Sequence, residues 1–578
     1  MEIDTLLADI RIENITRHIR WFTEETPNRI SSGEDVTKAS KYIAECMSSL
    51  GLETKNEAYY TYNSSPVQSE LEVVEPESLR MKSLPCCHIR STRPEGETFE
   101  LIFLEAAAYA DIAAYDVRGK MVLVEMSYAP PVPERARILS EAGAAGIVCM
   151  NWGNDEDVIC NRALKSIWGN PTEDTFPHIP DLVGLGVTRQ DGLKLKELCA
   201  AGAVKIRATA IATRQWQEVR QPWGVLKGNG GSDEFLLIGS HFDAWEPGVT
   251  CNATGNALTL ELCRVLSEHR DQLDRDIWFV FWNGHEIAEA AGSTWFLDNH
   301  WDAINKKCVC YMHIDSPGLK DATLYEIKAS DELRRYAAEN AEKVGGIELR
   351  VMDLKKIGDQ SFMGIGVPSV TQRMSYSPEY LASNHGATLG WWNHTDEDGI
   401  DKYDERVMEY DARITLSFLY ALAREKVLPY EYAVEFERLR NTVADLQARY
   451  GAHIDLDDLE RNLQQAAEGT LRLASRRAKL EDPRQIALYN EAVIHVSRTL
   501  TNVFQTYAEK YDQDSYGFGK LSAPIPLLAD LAKLEISAPD SFAYGLVKTK
   551  LVRNKNRIDD ALGNIAAMTR LYDKLLAL

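Results

Sequence analysis

Apolar positions recur every three to four residues over Ile10 to Thr23. They do so again over Asp35 to Leu50, where Ala39, Ile43, Met47 and Leu50 share a face and Gly51 supplies the stop. Two helices are predicted, followed by a strand starting at Gly51-Leu52-Glu53-Thr54. From Ser64 the period shortens to that of strands, at Glu70–Val74, Glu100–Phe103 and Lys120–Glu125. A helix over Glu134–Ala142 feeds a buried strand through Gly143-Ala144-Ala145-Gly146. Trp152 to Asp174 lacks any period and reads as a surface loop; Leu182–Val187, a helix over Thr188–Ala201 and Val204–Ile211 close an α/β insert.

Between 220 and 425 strands and helices alternate. Strands are predicted at Glu234–Ile238, Asp276–Phe281 and Lys307–Ile314, and helices at Ala257–His269, Gly292–Asn299, Ser330–Val344 and Asp404–Glu425. That alternation predicts an α/β fold with helices covering a largely parallel sheet. After Pro429 only helical periods remain: Tyr430–Tyr450, Ile454–Leu480, Pro483–Lys510, Pro526–Lys533 and Phe542–Leu578.

Four strand ends of the 220–425 region carry polar clusters: His241-x-Asp243 with Cys251, Trp282-Asn283-Gly284-His285-Glu286, His313-Ile314-Asp315-Ser316, and Trp392-Asn393-His394-Thr395. Ends of parallel strands converge on one edge of a sheet. His, Glu, Asp and His brought together there form a metal-ligand set suited to zinc, manganese or iron. His285-Glu286-Ile287-Ala288-Glu289 is not the zinc helix H-E-x-x-H, because Glu289 stands where the second histidine belongs.

Composition narrows the partners. The chain has 578 residues, enough for several domains, and 64 Lys and Arg against 87 Asp and Glu give a net charge of −23. An acidic surface disfavours nucleic acid and anionic membranes. No apolar run is long enough to span a bilayer, and the acidic start Met1-Glu2-Ile3-Asp4 does not read as a signal peptide, so a cytoplasmic protein is expected. Ten scattered cysteines without a C-x-x-C pair, Cys86-Cys87 and Cys308-x-Cys310 among them, read as buried thiols.

These motifs together resemble the aminopeptidase-type zinc metallopeptidases with a protease-associated domain, the group that includes glutamate carboxypeptidase II and the non-enzymatic transferrin receptor. His241-x-Asp243-x-Trp245 with Asn252-Ala253-Thr254-Gly255 resembles the first metal motif of that family. Phe279 to Gly284 and Gly292-Ser293-Thr294-Trp295-Phe296 bracket its catalytic segment, and His394-Thr395 resembles its last ligand motif. The resemblance implies a three-layer aminopeptidase-like sheet domain from 1–64 and 216–425, a protease-associated or apical insert at 65–215, and a helical domain at 426–578 that forms a homodimer. It implies two zinc ions, one held by His241 and Asp315, the other by Glu286 and His394, with Asp243 orienting His241.

Two positions depart from that pattern. Cys251 stands where a bridging aspartate is implied, and His285 where the glutamate base is implied. One extra residue between Glu286 and Gly292 also permits the other alignment, with Glu286 as base and Ile287 at the ligand position. Losing the bridge points to one Zn, Fe or Mn ion per chain. Cys251 and His285 could instead form a thiolate–imidazole pair, or the site could be decayed. The expected function is a metal-dependent hydrolase, or a lyase or hydratase, acting on a small-molecule or peptide-like substrate. A non-catalytic dimeric binding protein and a conventional exopeptidase are the alternatives. Trp245, His385 and Trp392 are candidate substrate contacts, and Asp359-Gln360-Ser361-Phe362 is the expected substrate loop.

Overall fold

The structure is a computed structural model, and it describes residues 2–127, 129–153, 157–515 and 519–577. Its centre is a set of strands, Phe235–His241, Asp276–Trp282, Cys308–His313 and Ser369–Ser375, mutually parallel where they pair. The sequence Phe235-Leu236-Leu237-Ile238 shows no alternation because both faces are covered. Leu236 and Ile238 join one apolar cluster, while Phe235 and Leu237 join another with Trp223, Trp282 and Phe296. Trp282 pairs with His241 and His313 with Gly239, so all three strands end at one edge. Gly239 is required there, since a side chain on it would run into the Trp282 indole.

Two strands of 23 residues, Glu53–Glu75 and Val204–Leu226, run antiparallel from Glu53↔Val225 to Glu75↔Lys205, with register shifts between Pro66 and Gln68 and between Val73 and Glu75. Only short pieces of them were legible. Most of the ribbon is half-exposed or exposed on both faces, so it carries little apolar signature. The second strand pairs with Asp276–Trp282 at its Leu226 end and with Glu97–Phe103 at its Val204 end. Met121–Glu125, Gly146–Met150 and Val183–Val187 follow in parallel beyond that, around their own apolar core.

The C-terminal helices Ala433–Tyr450, Asp457–Arg476, Pro483–Phe504 and Phe542–Leu575 share one continuous apolar cluster with the central sheet. The helix expected at Pro526–Lys533 is instead a 3-10 turn, Pro526–Leu531, leading into Ala532–Ile536. Lys356 ties this region to the sheet domain. It is buried, lies over the Trp168 ring at 4.7 Å and donates to Gln513 Oε1 at 2.7 Å. Burial depresses its pKa from 10.5 to about 7. Between those values the unfolded chain holds a proton that the folded protein has released, so stability rises as pH climbs from about 7 to about 10.5. Lys356→Met is expected to flatten that rise, which is on the order of 1.4 kcal/mol per pH unit at its steepest. Urea unfolding at pH 7, 8 and 9 measures it.

Candidate metal centre

The strand ends deliver their residues to one buried cluster. Cys251 Sγ lies 3.3 Å from Glu286 Oε1, 3.7 Å from His241 Nε2 and 3.5 Å from His394 Nε2. Glu286 Oε1 is 3.0 Å from His394 Nε2, and Asp315 Oδ1 is 3.6 Å from His241 Nε2. Ligand atoms of His241, Cys251 and Glu286 all lie within 4.8 Å of one another, an arrangement able to hold a metal ion. Glu286, not Ile287, therefore occupies the ligand position; Ile287 is buried against Trp245, Cys87 and Ala163.

The supports come from far along the chain. Asp398 accepts from Thr250 N at 2.9 Å, Thr250 Oγ1 at 2.7 Å and Cys251 N at 3.1 Å, and so presents Cys251. The Arg29 guanidinium is buried and donates to the carbonyls of Phe22, Thr26, Phe242 and Gly248, which fixes the loop before it. Asn252 donates to Ser240 Oγ and the Ile314 carbonyl and accepts from Ser316 N, binding the first motif to the Asp315 loop.

Asp243 acts differently from expectation. His241 Nδ1 meets the main-chain carbonyl of Asp243 at 2.9 Å, while the Asp243 carboxylate accepts the N–H groups of His285 and Glu286, each at 3.0 Å. The alternative Cys251–His285 pair does not form. His285 Nδ1 is 2.9 Å from Asp359 Oδ2, and the ring stacks on His241 with centroids 3.9 Å apart. Ser293 donates to the other Asp359 oxygen at 2.8 Å and meets Ser361 Oγ, which also accepts from Trp168 Nε1.

Charge follows this geometry. Burial opposes a charge on His285, but Asp359 above all, then Glu286 and Asp315, outweigh it and hold its pKa well above the usual histidine value. Burial likewise opposes the Glu286 carboxylate, yet His394, His241 and His285 bring its pKa down to about 2. Burial, with Glu286, Asp315 and Asp398 nearby, pushes the Cys251 thiol well up. The thiol is thus no free nucleophile, and a cation is what would draw its proton away.

The residues expected to touch substrate are placed less centrally. Trp392 is buried and donates to Thr250 Oγ1 at 3.1 Å; Trp245 is buried beside Ile287. His385 is exposed, with its Nδ1 3.5 Å from Arg189 Nη2 of the insert.

Of the segment Trp152–Asp174, expected on the surface, residues 154–156 lie outside the described residues and 172–174 are exposed, but 158–170 are largely buried and form one side of the site. Cys160 Sγ donates to the Asn393 carbonyl at 2.9 Å, Asn161 N to the His394 carbonyl at 2.9 Å, and Arg162 Nη1 lies 2.7 Å from His394 Nδ1. Lys165 is buried and donates to the carbonyls of Gly169 and Ala288. Its polar residues spend their hydrogen bonds on other loops, which leaves no periodicity to read. Arg162, Arg29 and Asp398 went unseen for the same reason, Ser293 was seen only as part of a bracketing motif, and Asp359 only as part of a substrate loop.

Residues 223–419 match the sequence profile of Peptidase family M28. Among curated proteins, a probable glutamate carboxypeptidase of Arabidopsis thaliana is 21% identical over 304 residues, covering 48% of this chain and 43% of that protein. Transferrin receptor protein 2 of Homo sapiens is 31% identical over 120 residues, 20% of this chain and 15% of the receptor. The matches thus span less than half of those relatives. Among solved structures, a peptidase M28 precursor from Shewanella amazonensis aligns with a TM-score of 0.61 at 15% identity, covering 74% of this chain and 96% of its own. A zinc aminopeptidase from Bacillus subtilis aligns with 0.55 at 19% identity, covering 71% and 95%. The aminopeptidase-like fold and the resemblance to metallopeptidases hold for this part of the chain. Among the described residues no helix is long and apolar enough to cross a membrane.

Proposed function

We propose, taking residues 223–419 as a domain of the peptidase family M28 type, that the chain is a metal-dependent hydrolase of a small amide or peptide-like bond. It works with one divalent ion and with the His285–Asp359 pair as its proton acceptor. The observation that carries this reading is the placement of that pair against the His241–Cys251–Glu286 cluster, with the two imidazoles stacked.

The donor set fits a metal. Nitrogen, sulfur and oxygen donors within reach of one centre suit zinc better than manganese, which favours oxygen alone. His241 Nε2, Cys251 Sγ and a Glu286 oxygen would hold it, with Asp315 beside His241. A bound ion supplies Lewis-acid polarisation of the scissile carbonyl and of water. The chain's own residues do the remainder. Asp359 accepts the Nδ1–H hydrogen bond of His285, and a bound cation would disfavour the imidazolium, which leaves Nε2 to receive a proton from the attacking water and return it to the leaving amine. Stacking on His241 fixes the ring plane, and the Asp243 carboxylate pins the backbone from which His285 and Glu286 project. The lyase and binding-protein readings have no comparable observation behind them.

Purification without chelator, metal analysis, and assay on a panel of dipeptides and N-acyl amino acids test the reading. The expected result is about one zinc per chain, with turnover lost on chelation and restored by zinc. Failure to take up metal on reconstitution, or turnover that survives chelation, sinks it.

A further inference from the structure

His241 is buried and His394 half-buried at the cluster, but their far nitrogens face opposite kinds of partner. His241 Nδ1 faces a carbonyl oxygen, that of Asp243, at 2.9 Å. A carbonyl only accepts, so Nδ1 carries the proton and Nε2 keeps its lone pair for a metal. His394 Nδ1 faces the Arg162 guanidinium at 2.7 Å. A guanidinium only donates and keeps its charge. Nδ1 of His394 must therefore accept, and in the neutral ring the proton sits on Nε2. That proton points at Glu286 Oε1, 3.0 Å away. The polarity of the chain is fixed from end to end: Arg162 donates to His394, and His394 donates to Glu286.

A metal ion at His394 would need the Nε2 lone pair. The ring proton would have to move to Nδ1, where it would meet the Arg162 N–H head on at 2.7 Å. The arginine is not placed to drift aside. Its segment is clamped to the same stretch by Cys160 Sγ on the Asn393 carbonyl, and by Asn161 N and Nδ2 on the His394 carbonyl at 2.9 and 3.1 Å. The clamp also holds His394 at φ 61°, a conformation that a non-glycine residue keeps only when its surroundings impose it.

We propose that Arg162, carried by the insert, is a positioning residue that fixes His394 as a hydrogen-bond donor to Glu286 and so limits the centre to one metal ion. The inference rests on the metal reading above. It assigns the loss of a second ion to the guanidinium behind His394, which can be removed with the Cys251 thiol left in place.

The experiment compares the wild-type chain with Arg162→Lys, which still only donates, and Arg162→Gln, whose amide oxygen can accept. Zinc stoichiometry is read by equilibrium dialysis. The His394 tautomer is read in the metal-free proteins by 15N NMR of histidine-labelled samples, assigned with His394→Ala. The expected result is one zinc and an Nε2–H ring for wild type and for Arg162→Lys. For Arg162→Gln it is a second zinc, with affinity raised at least about 10-fold over the wild type, and a shift toward Nδ1–H. A wild-type ring with its proton on Nδ1, or an Arg162→Gln protein that stays at one zinc, overturns the proposal. If neither protein takes zinc, the metal reading fails by itself, and the tautomer still decides what Arg162 does.

Discussion

Glu286→Gln is expected to leave the protein folded, nearly metal-free and inactive. The carboxylate touches both Cys251 Sγ and His394 Nε2, and three histidines bring its pKa down to about 2, so it is charged throughout the usable range. Glutamine keeps the volume but removes that charge from a site that has to balance a divalent cation. Residues that merely orient a ligand cost ~10–100-fold in metal affinity when lost, so a direct ligand is expected to cost more than about 100-fold. Metal analysis after dialysis, beside a thermal melt of the apo-protein, separates this from misfolding. A Glu286→Gln protein that retains its zinc would show that the cluster is not the metal centre.

The second large effect is expected at the dyad. His285→Gln should lower kcat by ~10²–10⁴-fold, the range of general acid–base catalysis, while zinc content and KM stay near wild type. Asp359→Asn should fall in the same direction by a similar or smaller factor. An amide in place of the carboxylate no longer stabilises the imidazolium, and its NH2 can turn the ring to the wrong tautomer. The pH profile distinguishes this from a loss of packing. Asp359 is the strongest influence raising the His285 pKa, so Asp359→Asn should move the limb that reports His285 to lower pH. A variant with unchanged kcat and an unmoved limb would remove His285 from the chemistry.

How much of this could be read from the sequence follows from what each contact depends on. His241, Glu286 and Asp315 were legible because parallel strands carry their C-terminal ends to one edge; His394, expected at a strand end, lies instead in a loop beyond the helix Pro378–Ser383 and was legible only through the resemblance of its motif. Cys251 followed from its place ten residues after His241. The partners of these residues were not legible. Asp359 reaches His285 from 74 residues away and Arg162 reaches His394 from 232 away, both out of loops, and no local period records such pairings. Asp243 shows the limit from the other side: the residue was identified, but it meets His241 through its carbonyl, and its carboxylate holds the backbone of His285 and Glu286.

The paired strands Glu53–Glu75 and Val204–Leu226 carry one more consequence. Glu75 and Lys205 are cross-strand neighbours, so everything between them enters and leaves the molecule at the tip of a hairpin. A tight turn joining those two residues would close the ribbon and delete the insert without disturbing the central sheet. The same cut would take away Arg162, Lys165 and Trp168, which stand at the other end of the molecule's logic, against His394, Ala288 and Ser361. The chain is modular in its topology and indivisible in its chemistry.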